Sequence, residues 1–216
     1  MRRKIKNLVI IGVGGFAREC FNHAKNSIGY ETEWKLKGFL DGDVKLPPAE
    51  YEKLLLPVLG DVFSYEPDKD DIFVCAIADP AVRKKLVEIV TEKFGKKMFS
   101  NLIHRSVTIQ SNVKIGTGNI FVPGSAINDS AVIGNHIILN GAAISHDCIV
   151  GDYSSFMGNV IICGNVKIGE MNYWATGSVA LPKSRTDNNV FVGCGSFVFK
   201  HIKEGLRVFG NPAMPY

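Results

Sequence analysis

From residue 103 onward the chain repeats every six residues. Large apolar side chains fall at Ile103, Ile109, Ile115, Phe121, Ile127 and Ile133, and after a one-residue deletion they resume at Ile138, Ile144, Val150, Phe156, Ile162, Ile168 and Trp174. Ala180 and Thr186 weaken the pattern before Val192 and Val198 restore it, yet 14 of these 17 positions are Ile, Val or Phe. Four residues after most of them stands a small or β-branched residue, as at Ser125, Ala131, Cys148, Ser154, Val160 and Ser178. An amphipathic helix cannot carry a six-residue period, and simple strand alternation does not need one. A coil of three short strands with tight corners does: the large residue fills the axis and the small one fits the corner, which predicts a parallel β-helix. At roughly 18 residues per coil and strand spacing between coils, this stretch makes about five to six coils in a stack of about 25–30 Å. A single chain would leave the long flat faces of such a prism exposed, which predicts an assembly of three chains.

Composition divides the chain near residue 100. Residues 1–99 hold 17 of the 25 Lys+Arg, 15 of the 21 Asp+Glu and 3 asparagines, whereas residues 100–216 hold 14 of the 22 glycines and 12 asparagines. The split predicts two domains, an α/β domain over 1–99 and an all-β domain over 100–216. In the second, glycine and asparagine are expected largely at coil corners, where a positive φ is needed.

The first half alternates strands and helices. Asn7–Gly12 is a continuous apolar run ending in glycine, the pattern of a buried parallel strand. Phe16, Ala17, Cys20, Phe21, Ala24 and Ile28 recur at helical spacing, with Gly29 as the stop. Leu36–Leu40 reads as a second strand closing on Asp41-Gly42-Asp43, and Ile72–Ala78 as another. Asp79-Pro80 then opens a helix through Lys93, with aspartate as cap and proline in the first turn. The order predicts a small, Rossmann-like parallel α/β sheet.

Several classes are excluded. No apolar run approaches the roughly 18–20 residues of a membrane span, and the basic start from Met1 to Lys6 leads only into a short strand, not a secretory signal. Five cysteines without a Cys-x-x-Cys pair fit a reduced, cytoplasmic setting. A net charge of +4 indicates no nucleic-acid tract.

The motifs GVGGF (Gly12–Phe16), GFLDGD (Gly38–Asp43), SHDC (Ser145–Cys148), CGNVKIG (Cys163–Gly169) and the terminal GNPA (Gly210–Ala213) occur together. With the hexapeptide repeats, they resemble the bacterial sugar O- and N-acyltransferases. That resemblance covers nearly the whole chain and implies a left-handed β-helix, against the usual crossover hand. It further implies a homotrimer with active sites at subunit interfaces, acetyl-CoA as donor, and a nucleotide-sugar or sugar acceptor held partly by the N-terminal domain. The implied role is in surface glycan synthesis.

Acetyl transfer to a sugar amine or hydroxyl requires a base, an oxyanion stabiliser and a place for the donor. His146 is the candidate base, since an imidazole titrates near neutrality. Asp147 follows it, positioned to hold the tautomer. Gly164 lies 18 residues on, in the same phase of the repeat, where a bare backbone N–H can face the thioester carbonyl. The resemblance implies the same three roles. Some relatives place a second histidine nine positions after the base; here that residue is Ser155, whose hydroxyl can still donate a hydrogen bond. Cys148 suggests a rival acyl-cysteine route, but its place in the repeat is the small inward position, and direct attack of the acceptor is the expected mechanism.

Gly12, Gly14 and Gly15, between a strand and a helix, form a partial dinucleotide fingerprint whose third glycine falls at Ala17. With Phe16 at the helix start, they are expected to cradle a phosphate. By the resemblance this domain takes a nucleotide-sugar rather than NAD. Asp41 then contacts the base, with Gly42 where relatives carry a second acidic residue. Ala78 and Asp79 line the same rim. The donor is expected along the β-helix between subunits. There Lys183, Arg185, Lys200, Lys203 and Arg207 offer a basic surplus, while Thr176, Gly177, Gly193, Cys194, Asn211 and Pro212 line the pantetheine and adenine end by resemblance. No metal is expected: His104, His136 and His146 lack the short spacing of a zinc site. The leading expectation is N-acetylation of a nucleotide-linked 4-amino sugar; the alternatives are O-acetylation of sialic acid or another glycan sugar, and a catalytically silent nucleotide-sugar-binding scaffold.

Overall fold

The structure is a computed structural model that describes residues 4–42 and 47–216; Met1–Arg3 of the basic start and Asp43 of the GFLDGD motif lie outside the described residues. The N-terminal half runs β1 (Lys6–Ile11), α1 (Gly15–Ala24), β2 (Trp34–Asp41), α2 (Pro48–Tyr51), β3 (Val58–Asp61), β4 (Asp71–Cys75) and α3 (Pro80–Phe94). Its four strands are parallel in the order β3-β2-β1-β4. Leu8–Ile11 are buried on both faces: Leu8 and Ile10 pack with α1 through Ala17, Cys20 and Phe21, and Val9 and Ile11 with α3 through Leu86, Val87 and Val90. This two-sided burial is why β1 reads as an unbroken apolar run. Asp79 caps α3 by accepting the Val82 N–H at 2.9 Å.

Several elements differ from the sequence expectation: helix α2 was not foreseen, and β4 ends at Cys75 rather than Ala78. Helix α1 stops at Ala24, before Ile28, because the Ser27 hydroxyl donates to the His23 carbonyl at 3.0 Å and the Ile28 N–H is taken by Ile103 of the β-helix at 2.9 Å. Strand β3 was not foreseen; it is a four-residue edge strand with an exposed-intermediate alternation and no apolar signal.

The second half is a left-handed parallel β-helix of six coils. Its first face starts at Leu102–Ile103 and includes Ile120–Phe121, Ile138–Leu139, Ser155–Phe156, Tyr173–Trp174, Phe191–Val192 and Arg207–Phe209. The second face runs from Thr108–Ile109 through Ala143–Ile144 to Phe197–Val198, and the third from Lys114–Ile115 through Ile149–Val150 to His201–Ile202. The chain ends on Met214–Pro215, which pairs antiparallel with Arg207–Phe209. The inward residues form one continuous core from Phe121 to Val208.

The structure shifts the deletion in the repeat by one residue. Phe121 pairs with Leu139, and Leu139 with Phe156, so Leu139 is the inward residue and the missing position lies between Leu139 and Ile144. Ile138 points outward yet is buried, because with Leu102, Ile120 and Val122 it packs under α1. Both residues are apolar for different reasons, which the period alone does not separate. The weak stretch also has a cause: Trp174, Ala180 and Thr186 occupy one coil, and the indole fills the volume that the two small residues leave. Trp174 Nε1 and Thr186 Oγ1 are buried without a hydrogen-bond partner among the described residues.

The glycines after residue 100 all lie between strands, at or beside the corners, but positive φ explains half of them. Seven of the 14 glycines after residue 100 have positive φ. The other left-handed corners are held by Asn112, Asn159, Asn165, Asn189 and, less expectedly, Ser130, His136, Asp147, Tyr153, Met171 and Lys183. The column Gly116, Gly134, Gly151 and Gly169 has a different constraint: a Cβ at each would stand 2.3–2.7 Å from the next coil.

Candidate active site

His146 sits on the corner between the second and third faces. Asp147 turns that corner at φ 58°, a conformation that aspartate tolerates. The corner is pinned to both neighbouring coils, since Asp147 N–H donates to Asp129 O at 3.1 Å and Asn165 N–H to His146 O at 3.0 Å. The imidazole projects outward, 58% exposed, with Nδ1 2.7 Å from Asp147 Oδ2. An Nδ1–H donated to the carboxylate leaves Nε2 as the free acceptor. The ring lies over Gly164, where a Cβ would stand 2.6 Å from both Nε2 and Cε1. The 18-residue offset thus places His146 and Gly164 in contact. Cys148 is fully buried with Sγ 3.1 Å from Cys163 O, and burial pushes its thiol pKa up, which disfavours a nucleophilic thiolate.

The other proposed residues gather elsewhere. Gly12 has φ 116° and leaves 2.9 Å between a would-be Cβ and Ile77 Cδ1, so strand β1 and the β4 loop meet there at glycine distance. Gly14 stands at the N-cap of α1, Gly15 is its first residue, and Phe16 is half-buried against the core. Asp41 is buried; its carboxylate accepts the Gly42 N–H at 2.8 Å and the Tyr51 hydroxyl at 2.7 Å. Ser155 is buried too, and its hydroxyl donates to Ala78 O at 2.7 Å. Its side chain acts on the rim, through Ala78, rather than on open space.

Between that rim and the first face lies a pocket of about 690 Å³, lined on one side by Ala78, Asp79, Pro80 and Ala81. Its other wall holds Met171, Tyr173, Phe191, Cys194 and Arg207. Tyr173 and Phe191 stack nearly parallel at 5.3 Å, and the Arg207 guanidinium lies 4.1 Å over Phe191. Sequence reasoning missed Tyr173 and Phe191 as site residues. Their signal was present: two aromatics 18 residues apart at the outward position, where solvent contact alone would not select them.

The donor-binding candidates divide between two corners. Thr176, Gly177, Gly193 and Cys194 lie on the corner after the first face, whereas Lys183 and Lys200 lie near the corner that carries His146. Lys183 N–H donates to Gly164 O at 3.1 Å, tying it to the coil next to that of His146. Asn211 and Pro212, joined by a cis bond, form the terminal turn with Gly210, whose N–H donates to Ser196 Oγ at 3.0 Å. Within one chain, His146 and the 690 Å³ pocket therefore occupy different sides of the prism.

The remaining histidines do not converge. His104 meets His23 edge-on at 5.8 Å, and no group of three or more metal-ligating side chains occurs among the described residues. No helix among them is long and apolar enough to cross a membrane. His136 is a buried corner residue, stacked on Tyr153 at 5.1 Å and edge-on to Phe99 at 4.8 Å. Burial first, and the Arg83 charge second, lower its pKa to about 4, against an opposing pull from Asp152. Because the folded pKa lies below the unfolded one near 6.5, the unfolded chain binds the extra proton and stability falls as pH drops from about 6.5 to about 4. That loss is on the order of 3 kcal/mol. A melting series over this window should show a smaller fall for His136→Asn, which keeps the left-handed corner without the titrating ring.

Residues 7–90 match the model of the PglD N-terminal domain. The match lies within the N-terminal half and covers less than half of the chain. The GDP-perosamine N-acetyltransferase of Escherichia coli O157:H7 is 28% identical over 148 residues, 65% of this chain and 66% of that protein. Acyl-[acyl-carrier-protein]–UDP-N-acetylglucosamine O-acyltransferases such as that of Pseudomonas paraeruginosa match at 28% over 107 residues. The chain spans less than half the length of those curated relatives, 42%. Among solved structures, the acetyltransferase domain of PglB from Neisseria gonorrhoeae in complex with acetyl coenzyme A has a TM-score of 0.84 at 24% identity, covering 99% of this chain and 100% of that one. PerB from Caulobacter crescentus, in complex with CoA and GDP-perosamine, has a TM-score of 0.83 at 25% identity, covering 99% and 98%. The PglD-type domain followed by a β-helix is therefore a shared architecture over nearly the whole chain.

Proposed function

We propose that this chain is an acetyl-CoA-dependent N-acetyltransferase acting on a nucleotide-linked amino-deoxy sugar, most simply a 4-amino sugar, in surface glycan synthesis. The observation that carries the reading is the His146–Asp147 pair at 2.7 Å lying over Gly164 on an exposed corner. His146 Nε2 takes the proton from the acceptor amine as it attacks the thioester carbonyl, and Asp147 stabilises the imidazolium. Gly164 N–H meets the oxyanion as the tetrahedral centre forms. When the C–S bond breaks, His146 returns the proton to the thiolate, giving the amide and free CoA. The Escherichia coli relative named a GDP-perosamine N-acetyltransferase and the PerB complex with CoA and GDP-perosamine support this class of acceptor.

The working unit is a homotrimer. The faces that flank the base's corner carry exposed Ile149, Ile161 and Leu181, apolar side chains suited to a subunit contact. A neighbour's first face would then bring its rim pocket and Cys194 corner to His146, uniting the residues that one chain holds apart. The test is thiol release from acetyl-CoA with UDP-, dTDP- and GDP-linked 4-amino sugars and with free sialic acid. Release with one nucleotide-linked amino sugar is the expected result. Release only with sialic acid would replace it with O-acetylation, and tight nucleotide-sugar binding without release would favour the scaffold.

A further inference from the structure

Arg83 is fully buried on the first turn of α3, and among the described residues its hydrogen-bond partners are all backbone carbonyls. Nε donates to His136 O at 2.9 Å and Nη2 to Tyr153 O, both corners of the β-helix. Nη1 donates to Ile77 O at 2.6 Å and Ala78 O at 3.1 Å, both on the rim after β4. A guanidinium presents its donors in a fixed planar fork, so four carbonyls from two structural units are held in one geometry. Ala78 O also accepts the Ser155 hydroxyl at 2.7 Å, so the rim carbonyl is clasped from the helix side and from the coil side. Ala78 begins the wall that faces Tyr173 and Phe191 across the pocket. Simple domain adhesion would be met more cheaply by apolar packing, since burying a charge without a counter-ion carries a large desolvation cost.

We propose that Arg83 and Ser155 form a positioning pair that clamps the Ala78 carbonyl and thereby sets the width of the pocket between the rim and the Tyr173–Phe191 wall. The pair touches no substrate; it acts through the rim. The claim that the pocket receives the acceptor rests on the N-acetyltransferase reading above, whereas the clamp itself does not.

Two readouts test it, on Arg83→Lys and Ser155→Ala in the full chain. Hydrogen exchange at residues 76–82 should accelerate in both variants, with the β1–β2 core and the coils around His146 unchanged. Lysine offers three donors from one point and cannot span all four carbonyls, so it should restore the rim only partly. In steady-state assays the acceptor KM should rise about tenfold for Arg83→Lys and about threefold for Ser155→Ala, with kcat and the acetyl-CoA KM within about twofold. A merely structural role predicts the opposite split, a fall in active fraction and kcat at constant KM. Unchanged exchange at 76–82 in Ser155→Ala, which loses a single oxygen and should fold normally, would overturn the clamp. Faster exchange with an unchanged acceptor KM would overturn its link to the pocket. Absence of transfer by the unaltered protein would sink the functional reading while the exchange result still decides the clamp.

Discussion

Replacing His146 by alanine is expected to lower kcat by about 10²- to 10⁴-fold, the span that a positioned general base contributes. The melting temperature should hardly move, because the ring is more than half exposed and its contacts are Asp147 and the bare Gly164. Cys148→Ala should show the reverse pattern. The thiol is fully buried in the small position of its repeat, so its loss costs about 1 kcal/mol of packing with turnover retained. An acyl-cysteine route requires a reactive thiolate two residues from the base. Burial opposes that ionisation, and the sulfur is turned inward onto the Cys163 carbonyl. Thiol-release kinetics beside a melting curve for each variant decide the matter. An inactive Cys148→Ala with an active His146→Ala would overturn the direct-attack mechanism.

Adding one methyl group at Gly151 or at Gly164 should produce opposite phenotypes. A Cβ at Gly151 would stand 2.7 Å from the Gly169 carbonyl carbon and 2.8 Å from the Glu170 nitrogen, both backbone atoms of the next coil. Those atoms cannot retreat without losing rungs such as Gly151 N–H to Ile168 O at 2.8 Å. Gly151→Ala should therefore cost about 3 kcal/mol or more, a fall in melting temperature of roughly 10 °C. At Gly164 the nearest atoms belong to the tip of the His146 ring, which can swing into solvent. Gly164→Ala should then melt near the parent temperature but lose about 10- to 100-fold in kcat, because displaced geometry weakens proton transfer. Full activity in Gly164→Ala would mean that the imidazole does not work from this position. An unchanged melting temperature in Gly151→Ala would contradict the role of the glycine column in coil stacking.

The site was legible where chemistry and repeat coincide. His146 and Asp147 are adjacent in the chain, and the 18-residue coil makes Gly164 their neighbour by arithmetic alone. The rim was legible in part: Gly12 and Asp79 announce a strand-to-helix turn and a cap. Ser155 was foreseen as a donor, but not that its acceptor would be a backbone carbonyl 77 residues earlier in the chain. Tyr173, Phe191 and Arg83 escaped notice because nothing local distinguishes an outward aromatic that lines a pocket from one in water, or a buried arginine from a solvated one.

By itself the sequence determined a six-residue period, hence a three-faced coil, because only that geometry returns a side chain to the axis every sixth position. It also determined a parallel α/β unit ahead of it and the juxtaposition of His146, Asp147 and Gly164 at one edge of the prism. The tertiary structure alone decided which of Ile138 and Leu139 turns inward, since α1 buries the outward residue as fully as the axis buries the other. It also decided that Arg83 joins the two units and that the pocket lies on a different side of the prism from His146. Those facts depend on how two units dock, and docking is set by surfaces far apart in the chain, where no local period reaches.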